Sequence, residues 1–77
     1  MVDASEIKKQ IDETIMEMAM EPTNPDHYHA LANLYALDNN FDKVASVYES
    51  LLSIKPDDVN ALLNLGSIYF YSKDFRK

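Results

Sequence analysis

Apolar residues recur along this chain at spacings of three and four, in stretches separated by two proline-containing breaks. In the first stretch Ile7, Ile11, Ile15 and Met18 predict one face of a helix over 4–20. Lys8, Lys9, Asp12, Glu13 and Glu17 fall mostly on its other side. Asp3 followed by Glu6 predicts a capping box at its start. Pro22, Thr23, Asn24 and Pro25 end it. Asn24 then suits the cap of a second helix, with Pro25 in the first turn, where a missing N–H is no loss. That helix is expected over 25–37, apolar at Tyr28, Leu31, Ala32, Leu34 and Tyr35. Asp38, Asn39 and Asn40 form a turn cluster. A third helix is expected over 41–54, with Val44, Val47, Tyr48, Leu51 and Leu52 on its apolar face. Lys55, Pro56, Asp57 and Asp58 close it. A fourth runs from about Val59 to Ser72, apolar at Leu62, Leu65, Ile68 and Tyr69. Asp74 and Phe75 then suit the cap and opening residue of a further helix. No period-two pattern competes, so the fold class is all-α, with short connections that make neighbouring helices antiparallel.

Composition narrows the function classes. Thirteen acids against seven bases give a net charge of −6, which argues against nucleic acid or an anionic membrane surface as partner. Seven of those acids and only two lysines lie in residues 1–26, an asymmetry that would attract a basic partner. With no cysteine, a disulfide scaffold, a thiolate zinc site and a thiol nucleophile are excluded. A single glycine excludes a Gly-rich phosphate loop. The polar, acidic start is unlike a secretory signal, and no run of about 18 apolar residues would span a membrane. The expected compartment is the cytoplasm, without membrane insertion. Seventy-seven residues make at most one small domain, which buries only roughly 60% of its unfolded surface.

Shifted by 34 residues, the chain overlays itself. Pro22 falls on Pro56, Leu31 on Leu65, Tyr35 on Tyr69 and Phe41 on Phe75. Tyr28 falls on Leu62 and Ala32 on Gly66. A two-helix period of this length resembles the tetratricopeptide repeat family. The family pattern is matched by Tyr28, Leu31, Ala32, Tyr35, Tyr48 and Pro56, then by Leu62, Leu65, Gly66 and Tyr69. Val44 and Leu51 depart from it, standing where the family prefers small residues. The resemblance implies a single domain over 1–77, built as a short right-handed α-solenoid of stacked helix-turn-helix repeats. Residues 1–21 would be the closing helix of an incomplete repeat, 22–56 a full repeat, and 57–77 the first helix of the next. The first helix then aligns with a shift of 33, so that Ile11, Ile15, Met18 and Ala19 take the parts of Val44, Tyr48, Leu51 and Leu52. Stacks of this kind normally need about three repeats. The chain is therefore expected either to be a piece of a longer array or to have its open face covered by another copy.

Candidate chemistry is sparse. His27 and His29, two apart on a helix, point about 200° away from each other and cannot share a metal there. Asp57 and Asp58 sit at a helix start, where acids favour the dipole. No serine has a histidine at a spacing that would make it a nucleophile. Met18 suits the core, and Met16 and Met20 an exposed face. No catalytic residue, cofactor or metal is expected, and the chain is not expected to be an enzyme.

The resemblance also implies a groove along the first helix of each pair, taking a peptide or partner protein. Its places here are His29, Asn33, Ala36 and Leu37, then Leu63, Asn64, Ser67, Phe70 and Tyr71, with His27 in solvent. Asn33 and Asn64 match two positions of the carboxylate clamp of some family members, and His29 replaces that clamp's first lysine. The apolar members favour a mixed peptide or an amphipathic helix as ligand. Phe70 and Tyr71 would equally suit packing against a following helix. The alternative function is self-association, with repeats stacking between copies through the open edges of the first and fourth helices.

Overall fold

The computed structural model describes residues 3–75, with side chains through Phe70. Its elements are α1 (Ala4–Met20), α2 (Pro25–Leu37), α3 (Phe41–Ile54) and α4 (Val59–Phe75). Each packs on the next, α1 on α2, α2 on α3 and α3 on α4, in a slab of 37 × 31 × 16 Å. The first three helices have the bounds expected from the sequence. The fourth runs on to Phe75, so Asp74 lies within it and does not cap a new helix at that point.

The helix ends follow local chemistry. The Glu6 backbone N–H donates to the Asp3 carboxylate at 2.9 Å, and Gln10 Nε2 donates to the Glu6 carboxylate at 3.1 Å. The Asp26 N–H donates to Asn24 Oδ1 at 3.0 Å, capping α2 ahead of its first-turn proline. Asn39 has φ 57°, the left-handed conformation that asparagine tolerates, and it turns the chain from α2 into α3. The Ala61 N–H donates to Asp58 Oδ1 at 3.0 Å and starts α4.

The core lies between the helices. It consists of Ile7 and Ile11 from α1, Tyr28, Leu31 and Ala32 from α2, Val44, Val47, Tyr48 and Leu51 from α3, and Ala61 from α4. One expected face is corrected. Ile15 is 44% exposed, and Thr14, only 8% exposed, takes its place beside Ile7 and Ile11. Steps of four residues drift by about 40° around a helix, whereas alternating steps of four and three stay on one line. Thr14 enters the interior because its hydroxyl donates to the Gln10 carbonyl at 2.8 Å, so no polar group is left bare.

At the expected shift of 33 residues, the buried Ile11 and Thr14 align with the buried Val44 and Val47, and the half-buried Met18 with the fully enclosed Leu51. Ile15 is the exception, exposed where its counterpart Tyr48 is buried.

The fourth helix differs from α2. Tyr28 is 8% exposed on α2, yet its counterpart Leu62 is 50% exposed. Ala32 is buried, while a Cβ placed on its counterpart Gly66 would meet nothing within 4 Å. The apolar face expected for α4 at Leu62 and Tyr69 is thus uncovered. Its packed side is Ala61, with Leu65 and Ile68 partly buried.

Candidate functional site

The expected groove residues lie on α2 and α4. At 100° per residue, His29, Asn33, Ala36 and Leu37 share one side of α2, and Leu63, Ser67 and Phe70 share one side of α4. Asn33, Leu37, Leu63, Ser67 and Phe70 are exposed, and Ala36 is half-buried. The side chain of Tyr71 lies outside the described residues.

His29 does not stand free in this groove. Its Nε2–H donates to Asp58 Oδ2 at 3.0 Å, and its ring tilts against the Tyr48 ring with centroids 5.8 Å apart. The Tyr48 hydroxyl accepts from Asn64 Nδ2 at 3.1 Å. Two of the expected ligand contacts, His29 and Asn64, are thus occupied in bracing α2, α3 and α4. Asn33 and Ser67 keep unspent hydrogen-bonding groups facing water among the described residues.

The Asp58 carboxylate is the pivot of this brace. It accepts the Ala61 N–H and the His29 ring N–H, and the two, the backbone donor first, hold its pKa below the ordinary carboxylate value. Sequence reasoning assigned Asp58 only to the helix dipole. The N-cap spacing from Asp58 to Ala61 was legible, but the partnership with His29, twenty-nine positions away, was not.

His27 is also engaged, contrary to the expectation of a solvent-facing ring. It donates from Nε2 to Glu21 Oε1 at 2.7 Å, and its Nδ1 lies 3.9 Å from Glu17. Asn24 Nδ2 donates to the same Glu21 oxygen at 3.2 Å. The hydrogen bond from His27, then that from Asn24, lower the Glu21 pKa. The end of α1 is thereby tied to the start of α2.

Both shifts have one sign for stability. Carboxyls with depressed folded pKa values bind protons less readily than in the unfolded chain. Their contribution is complete above the ordinary carboxylate range and is lost as pH falls through the depressed values. The thermal midpoint followed by circular dichroism should therefore fall on acidification through that range. Asp58→Asn, which keeps a cap oxygen but cannot titrate, should flatten the fall. An unchanged slope in this variant would remove Asp58 as a source.

Among the described residues, no group of three His, Asp or Glu side chains could hold a metal ion, and no helix is long and apolar enough to cross a membrane. Compared with known proteins, the chain matches no family model, no curated relative and no solved structure.

Proposed function

We propose that this chain is a non-catalytic interaction module of the cytoplasm, built from tetratricopeptide-like repeats. It takes a peptide or a partner protein along the shared sides of α2 and α4. The observation that supports this reading is the composition of that surface. Exposed amide and hydroxyl groups at Asn33 and Ser67 alternate with exposed apolar side chains at Leu37, Leu63 and Phe70. An extended peptide offers backbone groups to the first kind and side chains to the second. The Asp58–His29 and Tyr48–Asn64 contacts hold the two helices at a fixed spacing, which reduces the ordering cost of binding.

The test is capture of partners by the immobilised chain, compared with Asn33→Ala, Leu63→Asp and Ser67→Ala. Each change lies on an exposed position and should leave helicity intact. Capture should weaken by about tenfold for Leu63→Asp, the cost of one desolvated apolar contact turned into a buried charge. Equal capture by all three variants would exclude the surface.

Self-association is the second reading, and the bare face of α4 favours it. Leu62 and Tyr69 stand exposed on either side of Gly66, which leaves room for a close helix approach. Sedimentation over a concentration series should then show a dimer that Leu62→Glu returns to monomer. A wild-type chain that stays monomeric throughout the series would eliminate this reading.

A further inference from the structure

A hollow of about 290 Å³ lies on the other side of α2, lined by Met18 of α1, by Tyr28, Leu31 and Tyr35 of α2, and by Lys43, Ser46, Val47 and Ser50 of α3. On α2, Tyr28, Leu31 and Tyr35 lie roughly 150° round from the groove residues, so this hollow is separate from the proposed peptide surface. Met18, Leu31 and Val47 give it apolar walls. The hydroxyl of Tyr28 is spent on the Pro22 carbonyl at 2.7 Å, and that of Ser46 on the Asp42 carbonyl at 3.2 Å. Lys43, Tyr35 and Ser50 are different. Among the described residues their side chains have no hydrogen bond or ion pair. Among the described residues, no carboxylate lines the hollow.

We infer that this hollow is a binding site for a carboxylate carried on a short apolar body. One ammonium and two hydroxyls supply charge and hydrogen bonds for a single carboxylate, and the methionine, leucine and valine walls cover the attached hydrocarbon. A phosphate dianion fits less well, because its second charge would go uncompensated in a chain of net charge −6. The hollow, about 290 Å³ and open to solvent on one side, has room for a small acid. Two sources have this chemistry: a free aryl- or alkyl-carboxylic acid, and the C-terminal carboxylate of a peptide ending in an apolar residue.

The probe is 3-phenylpropionate, titrated into the 77-residue chain and followed by methyl NMR, with 3-phenylpropionamide as its neutral counterpart. The acid should shift the signals of Met18, Leu31 and Val47 saturably, and the amide should not. Lys43→Met keeps the apolar stem, removes the charge and should weaken acid binding by about tenfold or more. Ser50→Trp, on an exposed rim position, should block the hollow without touching the core. A peptide ending in phenylalanine, with a free or an amidated terminus, separates the sources. Tighter binding by the free-terminus peptide identifies a chain end, and binding by the small acid alone identifies a metabolite-type acid. The inference is overturned if acid and amide bind alike, if Lys43→Met binds the acid like the wild type, or if no saturable shifts appear. Shifts confined to the Leu63 side overturn it as well, while leaving the peptide surface standing.

Discussion

Leu51→Ala should leave most of the chain unfolded at physiological temperature. Leu51 is 0% exposed and is the largest side chain fully enclosed in the core. Removing its isopropyl group forfeits the transfer free energy of those carbons and leaves a cavity that the surrounding helices fill only in part. Such changes cost about 2–5 kcal/mol. A domain of this size has stability of the same order, because it buries a smaller share of its surface than larger domains do. Slab geometry adds to the effect, since few other residues are enclosed deeply enough to compensate. Far-ultraviolet circular dichroism should show loss of the cooperative thermal transition. A variant melting within a few degrees of the wild type would mean that the interior does not carry the fold.

The second large effect comes from adding volume. Ala32 is 1% exposed and lies in the core shared by α1, α2 and α3. Ala32→Leu forces extra carbons into a packed interior and should cost about 1–3 kcal/mol. The aligned position on α4 predicts the opposite sign. At Gly66 an added Cβ meets nothing within 4 Å, and alanine replaces the weakest ordinary helix former. Gly66→Ala should therefore stabilise the isolated chain by about 0.5–1 kcal/mol. Urea unfolding of the two variants checks both signs together. Two positions equivalent in the repeat respond oppositely because one is covered and the other is bare.

That contrast also marks how far the sequence could be read. Helix bounds were legible because prolines at 22, 25 and 56 and side-chain caps at Asp3 and Asn24 act locally. The buried side of α3 was legible because its apolar Val44, Val47, Tyr48 and Leu51 fall on one side while Lys43, Ser46, Glu49, Ser50 and Ser53 face water. On α1 the apolar spacing points to Ile15 rather than Thr14. Hydrophobicity favoured the isoleucine, while helix geometry and a hydroxyl satisfied by Gln10 favoured the threonine. The groove was legible as a set of positions and not as a set of free side chains. His29 finds its partner in Asp58, just ahead of α4, and Asn64 in Tyr48 of α3, and no local pattern announces contacts across so many residues. The hollow between α1 and α3 was invisible for the same reason, since Met18 and Lys43 meet only after α2 has brought the two helices together.

The exposed Glu13 and Glu17 of α1 bear on what kind of assembly is open to the chain. A head-to-tail contact, with the bare face of α4 seated on that side of the next copy's α1, would repeat without closing and grow into fibres. It would bury two carboxylates against leucine and tyrosine, so desolvation weighs against it relative to a symmetric contact between two α4 faces.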